Sequence, residues 1–262
     1  VGRGGATGRV GDLSVEAAPE AATIVVPCFN EADRLDTVVL RDLASAIQGR
    51  VLIVDDGSTD DTAALAREAA EEHPEQLGVL VMERNGGKGE AVRRGLQTAL
   101  HDGASLAGYY DADLATPPAE MARLVEVLRA DPALVGVLGA RVALLGHHIE
   151  RSAARHYLGR LFATASSLVL GLAVYDTQCG AKVFRDGPAL RAALATPFAS
   201  RWAFDVELLG RLVRASGGRD GGVRLREVPL EAWHDVGGSK LRPPDAVTAG
   251  LDLLRVRRSL RR

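Results

Sequence analysis

Cysteine is scarce in this 262-residue sequence: Cys28 and Cys179 are the two, far apart and in neither a CxxC nor a Cys/His cluster. That spacing argues against a disulfide scaffold or a structural zinc, and a reducing compartment is expected. Charge of one sign is missing as well, since 34 Asp and Glu face 32 Lys and Arg for a net charge of −2. There is no global basic field to coat a duplex, no nucleic-acid partner is expected, and any anion must be met by local sites. A long hydrophobic run is absent too. The longest nearly apolar stretch, 161–174, is interrupted by Thr164, Ser166 and Ser167 and is about half the length that spans a bilayer. No basic region followed by an apolar core is visible near residue 1, so no secretory signal is read and a cytoplasmic location is expected.

What is present is enough for a core. With 47% hydrophobic and 25% charged residues, the chain can build one large α/β domain or two small ones. Residues 1–21 are rich in Gly and Ala, carry no apolar period, and read as a flexible leader. The run Gly4-Gly5-Ala6-Thr7-Gly8-Arg9-Val10-Gly11 has the look of a dinucleotide fingerprint. Such a turn must follow a strand, however, and only three residues precede it.

From residue 23 the pattern alternates. Thr23-Ile24-Val25-Val26-Pro27 predicts a strand, the period through Leu35, Val38, Val39 and Leu43 a helix, and Val51-Leu52-Ile53-Val54 a second strand. The rhythm continues with a helix over 60–72, strand 78–82, helix 88–101, strand 106–110, helix 117–130 and strand 134–139. Alternation of this kind predicts a mainly parallel sheet with helices on both faces and ligands at the carboxyl ends of its strands. Beyond 150 the reading is a long helix over 151–172, a loop with Gly and Cys, two shorter helices, a strand over 223–230 and a last amphipathic helix. That helix carries Val247, Leu251 and Leu254 on one face and leads to Arg255, Arg257, Arg258, Arg261 and Arg262.

The chemistry should lie where strands end. The first strand runs into Pro27-Cys28-Phe29-Asn30-Glu31 and the second into Asp55-Asp56-Gly57-Ser58-Thr59-Asp60. A carboxylate and an amide can meet there to bind a base or ribose. Helix capping accounts for Asp60, though not for Asp55 and Asp56. Tyr109-Tyr110-Asp111-Ala112-Asp113 carries a strand straight into two carboxylates spaced i, i+2. In extended backbone these face one side, as a Mg²⁺ or Mn²⁺ site holding a diphosphate requires. Two solvated loop aspartates would give the same letters.

Taken together, Val-Pro-Cys-Phe-Asn-Glu, Val-Asp-Asp-Gly-Ser-Thr-Asp, Asn-Gly-Gly-Lys-Gly and Asp-Ala-Asp resemble the family-2 glycosyltransferases, whose catalytic domain has the GT-A fold. Three later stretches look like the branch of dolichyl-phosphate β-glucosyltransferases: Asp176-Thr177-Gln178-Cys179-Gly180-Ala181-Lys182, Arg201-Trp202-Ala203-Phe204-Asp205-Val206-Glu207-Leu208 and Gly238-Ser239-Lys240-Leu241. The resemblance spans 22–258. It implies a single GT-A domain, with a nucleotide-sugar half over 22–142, an acceptor half over 143–258 and a basic tail over 259–262.

The resemblance also implies roles. Pro27, Asn30, Glu31 and Asp56 match positions lining the nucleoside pocket, Lys88 a position beside the nucleotide, and Asp111 with Asp113 the metal and diphosphate site. Arg141 matches an arginine near the acceptor phosphate, and Lys240 a lysine that closes over phosphates. Polyprenyl-phosphate mannose synthases often place a Gln ligand two residues after the second aspartate. Ala115 stands there instead, which favours a glucosyl over a mannosyl branch and leaves open whether water completes the metal shell.

The expected activity is therefore inverting, metal-dependent transfer of glucose or a related hexose from a UDP-sugar to a polyprenyl phosphate. A lipid phosphate is already dianionic near neutrality and needs positive charge rather than a base, for which Arg141, Lys182 and Lys240 are candidates. With a soluble hydroxyl acceptor, Asp205 or Glu207 would act as base; GDP-mannose is the alternative donor. Asp205 could equally serve the dipole of its helix, and Trp202 could be packing rather than a sugar platform. Arg155, His156 and Arg160 among Tyr157, Leu158, Leu161 and Phe162, with the C-terminal arginines, suggest peripheral contact with the cytoplasmic membrane face. His147, His148 and His234 are too scattered to propose as ligands.

Overall fold

The computed structural model describes residues 20–142, 144–146, 148–149, 153–218, 224–234 and 243–261, giving the backbone course alone over 153–158 and 243–249. The leader read over 1–21 lies almost wholly outside the described residues, as do His147, Lys240 and the rest of 238–241.

The first half follows the alternation of the sequence. It runs β1 (Ala22–Cys28), α1 (Thr37–Ala46), β2 (Arg50–Asp55), α2 (Thr62–Glu72), β3 (Leu77–Val81), α3 (Lys88–His101), β4 (Leu106–Tyr110), α4 (Pro118–Ala130) and β5 (Gly136–Ala140). Next come β6 (His148–Ile149), α5 (Ala153–Leu170), β7 (Ala181–Arg185), α6 (Pro188–Leu194), α7 (Phe204–Ala215), β8 (Leu225–Pro229), β9 (Ala232–Trp233) and α8 (Pro243–Ser259). Seven strands form one sheet in the order β3-β2-β1-β4-β7-β5-β8, while β6 and β9 pair separately.

One central strand is a correction to the sequence reading. β7, which falls where a loop was expected, runs antiparallel between β4 and β5, so the sheet is mixed at its middle. Its physical disguise is Lys182, a charged residue of low strand preference placed in a short segment whose side chain is nonetheless fully buried.

The sheet is apolar on both faces, as parallel strands covered by helices must be. Ile24, Val26, Val51 and Ile53 pack with Leu40 of α1 and Leu124 of α4 on one side. Val25, Leu52, Val54 and Tyr109 pack with Leu96 of α3 and Phe204 of α7 on the other. The period-2 alternation thus sends successive residues of one strand into two separate cores.

Register fixes the functional edge. Cys28 pairs with Asp55 and Asp55 with Val81, so β1, β2 and β3 end level. Tyr110, the last residue of β4, pairs with Ala181, the first of β7. The loops after β1, β2, β3, β4 and β5 and the loop before β7 therefore gather at one rim.

Candidate active site

At that rim the loop after β2 is tied to its neighbours by hydrogen bonds from short polar side chains. Asn30, with φ of 53°, accepts from Thr59 N–H at 2.9 Å, and its own N–H donates to Ser58 Oγ at 2.9 Å. Glu31 N–H donates to Thr62 Oγ1 at 2.9 Å, and the Glu31 carboxylate meets Arg34 at 2.7 Å. Asp60 accepts from Thr62 N–H at 3.0 Å and from Ala32 N–H at 3.2 Å. It thus steadies the first residue of α2 from one position before the N-cap, which is Asp61 rather than Asp60, and also reaches across to the first loop. Pro27 is half-buried in β1 opposite Val54.

Asp56 does something the sequence did not suggest. Its two oxygens accept from Gly86 N–H and Gly87 N–H at 2.7 Å each, which pins the glycine loop at the start of α3. Burial raises its pKa above the ordinary carboxylate value, against those two amides and Arg201. Gly87 has φ of 87°, open to glycine at little cost, and a side chain there would strike the Arg201 guanidinium. Arg201 also donates to Asn85 Oδ1. A residue from the loop before α7 thereby closes over the glycine loop at the start of α3.

Lys88, the first residue of α3, extends its ammonium to Asp111 Oδ1 at 2.6 Å. Burial opposes the charge on both partners, yet Asp111 and Asp205 hold Lys88 above its usual pKa, and Lys88, Lys182 and Arg141 hold Asp111 below its own. Asp113 differs. Burial and the neighbouring Asp111 push its pKa up, while Ala115 N–H donates to it at 3.1 Å. The two aspartates do not lie on extended backbone: Leu114 N–H donates to Asp111 C=O at 3.2 Å and Leu114 has φ of 55°. The same-side argument from strand geometry is replaced by a tight turn.

A divalent cation fits this pair by charge. Two carboxylates and one lysine sum to −1, a diphosphate adds further negative charge, and hard oxygen donors suit Mg²⁺ or Mn²⁺. Among the described residues no cluster of three or more His, Cys, Asp or Glu side chains forms a closed metal site. The backbone N–H of His234 donates to Ala115 C=O at 2.9 Å.

Arg141 leaves the end of β5 and grips Asp176 as a fork, Nε to Oδ2 at 2.7 Å and Nη2 to Oδ1 at 2.9 Å. The guanidinium lies 5.4 Å from the Trp233 ring centre, and Asp176 keeps it charged despite burial. Asp176 is itself placed by Glu227 of β8, whose oxygens accept from Tyr175 N–H at 2.7 Å and Asp176 N–H at 2.8 Å. Sequence reasoning assigned no role to Asp176 or Glu227, and no local pattern announces that pairing.

The other predicted acceptor residues sit elsewhere. Lys182 is fully buried, with Nζ donating to Asp205 Oδ1 at 2.8 Å and to Cys179 C=O, and lying 5.1 Å from the Tyr109 ring centre. Tyr109 Oη donates to the same Asp205 oxygen, and burial with that carboxylate raises the phenol pKa. Lys182 therefore does not reach an acceptor by contact. Asp205 is engaged by two partners inside the protein, a different task from helix capping or from a base open to solvent. Glu207 is buried too, bonded to Ala199 N–H at 2.8 Å, to Arg211 at 2.7 Å and to Ser259 Oγ at 2.7 Å. The last of these joins α7 to α8. Trp202 packs edge-on against Phe162 of α5 at 4.9 Å and remains 38% exposed.

Comparison with known proteins identifies the family. The model of glycosyl transferase family 2 matches residues 23–189. A dolichyl-phosphate beta-glucosyltransferase of Trichomonas vaginalis is 31% identical over 89% of this chain and 70% of its own. The Saccharomyces cerevisiae protein of the same name is 29% identical over 90% and 73%, and a polyprenol monophosphomannose synthase of Mycolicibacterium smegmatis 27% over 83% and 80%. Among solved structures, glucosyl-3-phosphoglycerate synthase from Mycobacterium tuberculosis, crystallised with UDP, superposes with a TM-score of 0.62 at 22% identity, covering 98% of this chain and 86% of that one. The same enzyme has also been crystallised with Mn²⁺ and UDP. With its mixed sheet, its aspartate pair at the end of β4 and these relatives, the chain belongs to glycosyl transferase family 2 and is a glycosyltransferase of GT-A fold.

Proposed function

We propose that this protein transfers glucose, or a related hexose, from a UDP-sugar to a polyprenyl phosphate, with inversion to a β-linked product. The names of its relatives support the lipid-phosphate acceptor. The observation that carries the reading is the gathering of Lys88, Asp111, Asp113 and Arg141 at one rim, while Asp205 is already held by Lys182 and Tyr109.

Asn30, Glu31 and Asp56 shape the donor's nucleoside end, and Lys88 moves from Asp111 toward the diphosphate when the donor enters. Asp111 and Asp113 are the residues that would hold a divalent cation, which would supply charge neutralisation for the departing UDP. Arg141 has five N–H donors, of which the Nε and Nη2 edge is fixed on Asp176, and the remainder face an acceptor phosphate. A phosphate oxygen then forms the bond to the anomeric carbon from the face opposite UDP, and the breaking C–O bond leaves its electrons on the diphosphate. No proton has to be removed from a dianionic nucleophile, whose second pKa is about 6. Lys182 and Asp205 act as positioning residues beneath Asp111. Lys240 is the further phosphate-closing residue of this reading, although it lies outside the described residues.

The test is transfer of label from UDP-glucose, GDP-mannose and UDP-GlcNAc in parallel to a short polyprenyl phosphate, with Mg²⁺ or Mn²⁺. The expected result is organic-extractable label from UDP-glucose. UDP release with all label left in water would move the assignment to a soluble acceptor.

A further inference from the structure

Two helices of the acceptor half, α5 and α8, pack against each other and both rest on α7. Their outward faces are apolar where an ordinary soluble surface would be polar. Among the described side chains of α5, 159–170, the exposed positions are Leu161, Thr164 and Leu168, spaced three and four apart and therefore on one face, with the two leucines 69% and 80% exposed. On α8 the exposed face holds Leu251, Leu254 and Arg258 at the same spacing, with the leucines about half exposed.

Charge on this side is mainly of one sign. Residues 153–170 contain no acidic residue, and 243–262 contain two, Asp245 near the start of α8 and Asp252, against Arg255, Arg257, Arg258, Arg261 and Arg262. Asp252 is buried and bonded to Arg255 at 2.7 Å, so it offers no negative charge to the outside. No described helix is long and apolar enough to cross a membrane. Four exposed leucines set among arginines on adjacent helices suit a surface that is apolar below and anionic above, where leucines enter the acyl boundary and arginines meet phosphates.

We infer that the outer faces of α5 and α8 form a docking surface for an anionic lipid bilayer. A protein partner would be expected to supply acidic side chains in matching register, whereas a lipid surface asks only for this mixture of leucine and arginine. The inference rests on the proposed lipid-phosphate acceptor for its purpose, because that acceptor is dissolved in a membrane. Its geometry stands apart from that reading.

The test is flotation of the full chain with vesicles of phosphatidylcholine alone and of phosphatidylcholine with phosphatidylglycerol. The wild type is expected to float with the anionic vesicles, less so at high salt, and weakly with the neutral ones. Leu251→Glu/Leu254→Glu, Leu161→Glu/Leu168→Glu and Arg257→Glu/Arg258→Glu should each reduce partitioning about tenfold or more. UDP binding by calorimetry should stay unchanged in all three, which shows that they remain folded. Vesicle binding without lipid glycosylation would uphold the surface and sink the acceptor assignment. Wild-type protein that ignores anionic vesicles, or leucine variants that bind them as well as wild type, would overturn the inference. So would a concentration-dependent dimer that the leucine variants dissolve, since a second copy would then cover the face.

Discussion

Asp205 is the residue on which the chemistry turns, because its environment decides between base and support. As a base for a hydroxyl it would need a free oxygen at the reacting atoms. Instead one oxygen receives both Lys182 Nζ and Tyr109 Oη in a buried setting. Asp205→Asn removes the counter-charge of a buried lysine, so a stability loss of roughly 3 kcal/mol or more is expected in denaturant unfolding. Donor KM should rise, while the acidic limb of the rate–pH profile stays where it was. Loss of that limb with unchanged stability would make Asp205 a base. The cysteines give a second residue-scale test. Burial, then Glu31 and Asp55, push the Cys28 thiol from 9.0 to about 12, and burial pushes Cys179 to about 11. A raised thiol pKa contributes stability that is complete below the unfolded value and is lost as pH rises through the folded one. Both thiols should resist iodoacetamide in the native protein at mildly alkaline pH and react once it is unfolded; fast native alkylation would contradict their placement.

At the scale of elements, β1 to β5 and α1 to α4 were legible because each apolar run is bounded by Gly, Asp or Pro and each helix has a continuous period. The rim followed from that alternation, and with it Asp56, Lys88, Asp111 and Asp113 came to one edge. β7 was not legible, since a buried lysine contradicts every local rule for a core strand and its charge is met by Asp205, 23 residues later, beside a bond to Cys179 C=O. Arg141 was found by motif, but its partner Asp176 is placed through Glu227 on another strand, a link that spacing does not carry. The start of β7 offers its own test. A side chain on Gly180 would run into the Asp111 carboxyl, so Gly180→Ala must displace either β7 or the aspartate turn. We predict a drop in kcat/KM of about a hundredfold with a smaller loss of thermal stability. Near-normal turnover would show that the turn tolerates movement.

For the whole molecule, the near-neutral net charge of −2 hides a division of labour: negative charge at the aspartate turn and positive charge on the outer face of α8. The first calls for a cation. Chelation should abolish transfer and added Mg²⁺ or Mn²⁺ restore it, while Asp113→Asn should weaken Mn²⁺ binding measured by calorimetry even without acceptor. Full activity in chelator would remove the metal from the account. The central claim, however, is that the nucleophile arrives already ionised and finds positive charge rather than a base. Paired assays with polyprenyl phosphate and with the corresponding polyprenol, at equal concentration and with saturating UDP-glucose and metal, test it most directly. The account predicts transfer to the phosphate and none above background to the alcohol; comparable glycosylation of the alcohol would contradict it.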